Sequence, residues 1–272
     1  MKKKAKNYNL LLITAAIDLK NKFVPFTILT NTEERLNQYL ISLKYAIEYY
    51  HKINAIIFCD NTNFDWNYSD LFEIAKKHNK TLEILKFHGN YEKIQQKGKG
   101  YGEGEIIDYV LENSKLINNV NYFYKITGRI IIQNFDKTSK FSKTNHFIFS
   151  SGIANNRKEV ETFFYRVNID FYNKYLKDAY LLVDDKNGIY LEQIFYNRLQ
   201  DKKIKSFCIY PKVVGISAST GKVYTKKTID FLGTSLLNFF GLYNSELNFF
   251  GKIVRFLLKN IIYKYVSNTK TV

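Results

Sequence analysis

The sequence has few of the residues that build disulfide frameworks, rigid turns or membrane spans. Its 272 residues include two cysteines, two prolines, one methionine and one tryptophan. Cys59 and Cys208 lie in apolar, strand-like runs without CxxC spacing, which indicates buried thiols in a reducing compartment. No run of uninterrupted apolar residues reaches the roughly 18 that a membrane span needs. We therefore expect a cytoplasmic protein, peripheral at most to the inner face of the plasma membrane.

Acidic residues are also scarce. The chain has 25 Asp and Glu residues against 41 Lys and Arg residues, a formal net charge of +16. This charge implies an anionic partner, and nucleic acid, an anionic membrane surface and phosphorylated small molecules are the physical candidates. The basic residues are spread along the whole chain instead of on one helix or arm, so nucleic acid is not the expected partner. The hydrophobic content of 46% is enough for a sizeable core.

The segment 97–105 has the highest concentration of residues suited to ligand binding. Four glycines occupy alternate positions from 98 to 104. Glycines let a ligand approach the backbone closely, and Lys97 and Lys99 add positive charge. Apolar residues at helical spacing follow from Ile106 to Leu111, so we expect the loop to precede a helix whose N-terminus favours anions. The segment therefore predicts a phosphate-binding loop, and the alternative is a flexible surface turn.

Buried strands alternate with helices along the first half of the chain. The predicted strands cover 8–17, 53–59, 81–87 and 122–132, and the predicted helices begin at Thr32, near Asp70 and after the glycines. This order with short loops is typical of an α/β fold with a mostly parallel, Rossmann-type sheet and flanking helices. Ligands bind at the carboxyl ends of such strands, so Asp60, Asn61, the glycine loop and Arg129 should meet in one crevice. Lys125 and Arg129, four residues apart on one strand, should share a face.

The second half of the chain has a looser pattern. Short strands are predicted over 146–150, 162–167 and 207–216, with a helix-rich stretch over 170–200. We expect one domain over 1–227, with a first half of about 1–135 and a second half of about 136–227. A helical, basic extension over 228–272 contains an amphipathic segment, 249–266. That segment could lie on an anionic leaflet or dock on the core, and both interpretations stay open.

Two motifs carry a family resemblance. The segments Gly98-Lys-Gly-Tyr-Gly-Glu103 and Lys125-Ile-Thr-Gly-Arg129, with Arg35 and Ser42-Leu43 on the first helix, resemble bacterial GT-A-like glycosyltransferases of capsule, lipooligosaccharide or O-antigen biosynthesis. The resemblance covers roughly 8–200. It implies an enzyme that binds a nucleotide-sugar donor with its first half and a glycan or lipid-linked acceptor with its second half.

The sequence departs from the wider GT-A pattern at the metal motif. Those enzymes usually hold a divalent metal through Asp-x-Asp at the end of the fourth strand, because the metal neutralises the departing diphosphate. Here that position reads Lys125-Ile-Thr-Gly-Arg129, and no Asp-x-Asp occurs in the chain. Arg129 and Lys125 could supply the positive charge directly. A metal-independent reaction and one that uses Mg²⁺ or Mn²⁺ both stay open, with Asp184 and Asp185 as the candidate ligands.

An inverting transferase needs a general base for the acceptor hydroxyl, and a carboxylate is the usual choice. The candidates are Asp184, Asp185 and Glu192, and we favour Glu192, which opens an amphipathic helix. Its alternative role is to stabilise the first turn of that helix. The predicted catalytic residues are Glu192, Arg129 and Asp185. The predicted donor-binding residues are Arg35, Asp60, Asn61, Lys97, Lys99, Gly100, Tyr101, Gly102, Glu103, Lys125, Thr127 and Gly128.

Two other functions remain as alternatives. A sugar-phosphate nucleotidyltransferase also uses a glycine-rich basic loop, but it would place that loop directly after the first strand and retain metal-binding aspartates. A basic nucleic-acid-binding protein would bind oligonucleotides tightly and with a strong dependence on salt.

Overall fold

A computed structural model describes most of the chain between residues 8 and 216. The described residues are 8–19, 24–25, 27–149, 159–216, 221, 223–224, 253, 256–257 and 260.

The described residues form nine strands and seven α-helices. The strands are β1 (Leu10–Ala15), β2 (Ala55–Asp60), β3 (Thr81–Lys86), β4 (Tyr122–Thr127), β5 (Ile130–Ile132), β6 (His146–Phe149), β7 (Val160–Asn168), β8 (Lys205–Ser206) and β9 (Val213–Gly215). The helices are α1 (Thr32–Tyr49), α2 (Ser69–Lys77), α3 (Tyr91–Lys97), α4 (Lys99–Asn113), α5 (Phe135–Ser139), α6 (Ile169–Tyr175) and α7 (Leu191–Leu199).

Seven strands form one sheet in the order β3-β2-β1-β4-β7-β6-β8, and β5 pairs with β9 in a separate two-stranded sheet. All neighbours in the large sheet are parallel except at β7, which is antiparallel to both β4 and β6. The chain leaves β1 toward β2 and β3 on one side, whereas β4 lies on the other side. The carboxyl ends of β1 and β4 therefore form a topological switch point, where open α/β sheets bind their ligands.

The large sheet lies between two layers of helices, because its inner strands are apolar on both faces. Every residue of β1 and β2 is buried, as expected for parallel strands that helices cover on both sides. One core packs the sheet against α4 and α7, and the other packs it against α1 and α2. The predicted fold class is confirmed in these residues: an α/β fold with a mostly parallel sheet and flanking helices.

Three local predictions were wrong. The side chain that caps α1 is Asn31, which accepts a hydrogen bond from the Glu34 N–H at 2.8 Å. Thr32, the predicted cap, instead donates to Asp18. The predicted strand over 122–132 is two strands, because the chain turns at Gly128 and Arg129 and then continues in the smaller sheet. The glycines do not form a loop before α4, since three of them lie within that helix.

Most of the predicted C-terminal extension lies outside the described residues. Ile253, Phe256 and Leu257 are described, and each is exposed. Within the described part of the chain, no helix is both long and apolar enough to cross a bilayer. The division into a domain and an extension stays a prediction.

The glycines of α4 provide a test of the packing. A Cβ on Gly104 would overlap the Cβ and ring of Tyr180, whereas one on Gly102 would lie 3.1 Å from the flexible ends of Asn61 and Ile94. Both substitutions to alanine improve helix propensity by about 1 kcal/mol. We expect Gly104→Ala to lower the free energy of unfolding by about 1–3 kcal/mol in urea denaturation, because a Cβ cannot rotate away from the clash. Gly102→Ala is the matched control and should be close to neutral; equal effects would contradict this packing.

Candidate active site at the switch point

A cleft of about 270 Å³ lies at the carboxyl ends of β1, β2 and β4. Eleven of the predicted site residues line it: Arg35, Asn61, Lys99, Gly100, Gly102, Glu103, Thr127, Gly128, Arg129, Asp185 and Glu192. Its volume is near the lower end of the range for small-molecule sites. The structure therefore brings residues from widely separated parts of the chain to the crevice that the sequence predicted.

Five predicted site residues do not line this cleft: Asp60, Lys97, Tyr101, Lys125 and Asp184. The buried Asp60 carboxylate accepts hydrogen bonds from the N–H groups of Ile17 and Phe64 and from the Thr62 hydroxyl, so it fixes the loops after β1 and β2. Burial raises the pKa of Asp60. Such contacts are typical of an aspartate that ends a strand and holds the turn after it.

The other residues outside the cleft also have structural contacts. Lys97 Nζ donates to the Leu181 carbonyl at 2.6 Å, Tyr101 packs edge-on against Tyr180, and Asp184 accepts hydrogen bonds from Asn187. Their predicted roles in donor or metal binding therefore gain no support from their positions.

The N-terminus of α4 is already capped by a carboxylate of the chain. Gly98 breaks the backbone between α3 and α4 with a φ of 108°. The N–H groups of Lys99 and Gly100 form hydrogen bonds with Asp185, which is 2% exposed. A Cβ on Gly98 would overlap that carboxylate. The anion at this helix N-terminus is thus Asp185 itself. The expected loop is a helix, and a phosphate-binding role for the segment stays a prediction.

Arg129 lies in the turn between β4 and β5 and is only 7% exposed. Its backbone is left-handed, with a φ of 70°, which is unfavourable for a residue other than glycine. Its N–H donates to the Ser42 hydroxyl at 3.3 Å, and its guanidinium lies 5.6 Å from the centre of the Tyr39 ring. Gly128 is required just before it, because a Cβ there would lie 2.5 Å from the same ring.

The Arg129 guanidinium forms no ion pair with a carboxylate of the described residues. Its one side-chain hydrogen bond there is a long one of 3.5 Å to Gln38, and its Nε has no partner. Removing a cation from water without a counter-charge costs several kcal/mol. An anionic ligand in the cleft would provide the missing charge.

Arg35 lies beside the same tyrosine, with its guanidinium carbon 5.9 Å from the ring centre. Its guanidinium has closer hydrogen bonds than that of Arg129: it donates to the carbonyls of Ala16 and Leu29 at 2.9 Å, which holds the loop after β1. Burial lowers its pKa, and the charge of Arg129 adds to that effect. We call Arg35, Tyr39 and Arg129 the arginine end of the cleft.

Three carboxylates that line the cleft form a second group, Glu103, Asp185 and Glu192, which we call the carboxylate end. Glu103 Oε1 lies 2.5 Å from Lys125 Nζ, and Glu192 Oε1 accepts a hydrogen bond from the Thr162 hydroxyl at 2.9 Å. Burial raises the pKa of Glu192, and the negative charge of Glu103 raises it further. A carboxylate with a raised pKa is suited to accept a proton.

Lys125 and Arg129 do not share a face as predicted. Lys125 is fully buried below the cleft and belongs to β4, whereas Arg129 lies in the turn beyond the strand, beside α1. The alternation of strand side chains does not continue through that turn. One lysine is therefore neutralised inside the protein, and one arginine lines the cleft.

Sequence reasoning missed three residues that build the site. Tyr39 lies between the two guanidiniums, Gln38 contacts Arg129, and Thr162 contacts Glu192. Tyr39 could have been found, because positions 35, 39 and 42 lie on one face of a helix. Thr162 had no such signal, since β7 comes next to β4 only in the folded sheet.

The residues of the cleft do not fit the divalent metal that a GT-A resemblance implies. Among the described residues, no three His, Cys, Asp or Glu side chains come together as a metal site. The position of the metal motif is occupied by Thr127, Gly128 and Arg129. Of the carboxylates at the other end, Glu103 binds Lys125 and Asp185 binds backbone N–H groups.

Comparisons with known proteins give weak likenesses. No family model and no curated protein matches the chain. The mannosyltransferase Ktr4p from S. cerevisiae aligns over 77% of this chain and 70% of its own, with 11% identity and a TM-score of 0.44. Core-mannan synthase A from Aspergillus fumigatus, in a Mn/GDP form, aligns over 89% and 87%, with 10% identity and a TM-score of 0.43. A nucleoside-diphosphate-sugar pyrophosphorylase from Vibrio cholerae aligns over 76% and 94%, with 13% identity and a TM-score of 0.39.

The burial of the Asp185 carboxyl group can be tested through the pH dependence of stability. Burial raises the pKa of Asp185 from 3.8 to about 6, so the folded protein binds this proton more tightly than the unfolded chain does. The contribution of Asp185 to stability therefore falls as the pH rises from about 4 to 6. Asp185→Asn keeps an acceptor for the helix and removes the charge. We expect its stability relative to the native protein to be greater at pH 7.5 than at pH 4.5, by up to about 3 kcal/mol in urea denaturation.

Asp184→Asn is the neighbouring control. That carboxyl is exposed and its pKa is lowered by hydrogen bonds from Asn187, so the sign of the pH effect should reverse. The same pH dependence in both variants would contradict the burial of the Asp185 carboxyl group.

Proposed function

We propose that the protein is a glycosyltransferase that moves a sugar from a nucleotide-sugar donor to a growing surface glycan of the capsule, lipooligosaccharide or O-antigen kind. The observation that carries this proposal is Arg129, a buried guanidinium that lines the cleft without a carboxylate partner among the described residues. A diphosphate is the ligand chemistry that suits it, because guanidinium binds phosphate oxygens through two parallel hydrogen bonds.

The two ends of the cleft suit the two parts of a nucleotide sugar. The diphosphate would lie at the arginine end, and the nucleoside would extend toward the loops after β1 and β2, where Asn61 and Thr62 line the cleft. The sugar would lie at the carboxylate end, since carboxylates accept hydrogen bonds from sugar hydroxyls. A nucleic-acid phosphate backbone would gain nothing from a carboxylate end.

The reaction that we propose needs one base and one stabilised leaving group. The acceptor hydroxyl gives its proton to the Glu192 carboxylate while its oxygen forms a bond with the anomeric carbon of the sugar. The bond from that carbon to the diphosphate oxygen breaks, and the nucleoside diphosphate leaves with the electron pair. Arg129 stabilises the negative charge that develops there. This direct displacement inverts the anomeric centre and uses no metal ion.

The acceptor site is the less defined part of the proposal. We infer that the second half of the domain binds the glycan or lipid-linked acceptor, and that the segment 249–266 contacts an anionic membrane surface. The exposure of Ile253, Phe256 and Leu257 supports an external contact for that segment.

Ligand binding tests the function before the acceptor is known. The protein is heated with nucleoside diphosphates, nucleotide sugars or an oligonucleotide, each with Mn²⁺ or with EDTA. We expect one nucleotide class to raise the melting temperature in EDTA, because binding to the folded state stabilises it. Stabilisation by a nucleoside triphosphate with a sugar phosphate, and release of pyrophosphate, would identify a nucleotidyltransferase instead. Stabilisation by the oligonucleotide alone would contradict both enzymes.

A glycine substitution separates the ligand role of Arg129 from its role in folding. Arg129→Gly relieves the left-handed backbone, so we expect a fold at least as stable, yet a nucleoside diphosphate affinity lower by roughly 30-fold in calorimetry. The control is Asn79→Gly, which relieves a φ of 53° at the end of α2, away from the cleft. Equal nucleotide affinities for the two variants would contradict the assignment.

The base is tested by Glu192→Gln, which keeps the size of the side chain and an oxygen for the Thr162 hydroxyl. We expect donor affinity to stay within about threefold while turnover falls at least 100-fold, since only proton transfer is lost. Glu161→Gln, at another carboxylate that lines the cleft, is the control. Normal turnover of Glu192→Gln would show that another group is the base.

A further inference from the structure

The ammonium group of Lys125 uses its full hydrogen-bonding capacity inside the protein. It donates to Glu103 Oε1 at 2.5 Å, to the Thr127 hydroxyl at 2.7 Å and to the Thr162 carbonyl at 2.8 Å. An ammonium group has three donors, so none remains for a ligand. Lys125 is also 0% exposed. Any effect on a bound sugar must therefore pass through these three partners.

Glu103 is the first of these partners, and it faces the cleft. Besides the contact with Lys125, its Oε2 accepts a hydrogen bond from the Thr127 hydroxyl at 3.2 Å. Both carboxylate oxygens are thus fixed from below, while 18% of the side chain stays exposed. A carboxylate held in this way presents one defined edge to a ligand.

Thr162 connects the same ammonium group to the second carboxylate. Its carbonyl accepts from Lys125, and its hydroxyl donates to Glu192 Oε1 at 2.9 Å. The two contacts come from one residue of β7, so a shift of either partner moves the other. Glu192 therefore depends on the position of Lys125 although the two side chains share no hydrogen bond in the described structure.

We propose that Lys125 is a positioning residue: its ammonium group fixes the Glu103 carboxylate directly and the Glu192 carboxylate through Thr162, so that both acids face one donor sugar in set orientations. This inference rests on the proposed glycosyl transfer. The two carboxylates then have different roles: Glu103 holds sugar hydroxyls, and Glu192 accepts the proton. It also replaces the predicted contact of Lys125 with the diphosphate.

The charges around Glu192 give this arrangement a measurable consequence. Glu103, Asp185 and Lys99 act on it, and Lys125 lies close enough to interact with it as well. Removal of the ammonium group leaves the charge of Glu103 uncompensated, which disfavours the ionised form of Glu192. The acid limb of the pH profile of kcat should then move to higher pH.

The test measures transfer from the nucleotide sugar found in the melting experiment, over a range of pH, for two variants in the full chain. For Lys125→Met we expect kcat to fall at least 100-fold, KM for the donor to change less than about threefold, and the acid limb to move upward. Thr162→Val removes only the hydroxyl and spares the ion pair. It should lower kcat by about 10-fold and move the acid limb in the same direction.

Lys80→Met is the matched control. Lys80 also donates from a half-buried ammonium group to two carbonyls, those of Ala46 and Tyr50, but it is remote from the cleft. It should lose stability without any shift of the pH profile. An unchanged profile in Lys125→Met, or in Thr162→Val if Lys125→Met does not fold, would overturn the inference. Absence of transfer by the native protein from every nucleotide sugar would instead overturn the proposed function.

Discussion

A buried cation that has no carboxylate partner among the described residues is the constraint on which the cleft depends. The turn after β4 places Arg129 under the protein surface in a left-handed conformation, against Tyr39 and without an ion pair to a described carboxylate. Both features cost free energy, of order 1 kcal/mol for the backbone and more for the charge. An anionic ligand would offset the cost of the charge. The position at the switch point of the sheet is where such a ligand would lie.

The two cations of the Lys125-Ile-Thr-Gly-Arg129 motif have opposite roles. The sheet buries Lys125 and neutralises it with Glu103, whereas the turn places Arg129 in the lining of the cleft. The same separation divides the cleft into an arginine end and a carboxylate end. A nucleotide sugar has the matching order of charge, with an anionic diphosphate beside a neutral ring rich in hydroxyl donors. The proposed activity follows from this order and not from the net charge of the chain.

Much of the fold could be predicted from local patterns, because continuous apolar runs and helical stripes depend on neighbours in sequence. The crevice at the strand ends follows from topology alone. The glycine segment was interpreted wrongly because glycine has two uses, conformational freedom and close packing, and the second depends on partners such as Tyr180 that lie far along the chain. The cap by Asp185 and the contact of Thr162 with Glu192 also join residues that are far apart in sequence. Local periodicity therefore could not predict them.

The position of the diphosphate is the central claim, and a crystal structure with the stabilising nucleoside diphosphate would test it most directly. This account predicts phosphate oxygens within hydrogen-bond distance of the Arg129 guanidinium, with the carboxylate end left for the sugar. Phosphates bound instead at the N-terminus of α4, beside Lys99 and with Asp185 displaced, would contradict it. That result would restore the glycine segment as the phosphate site.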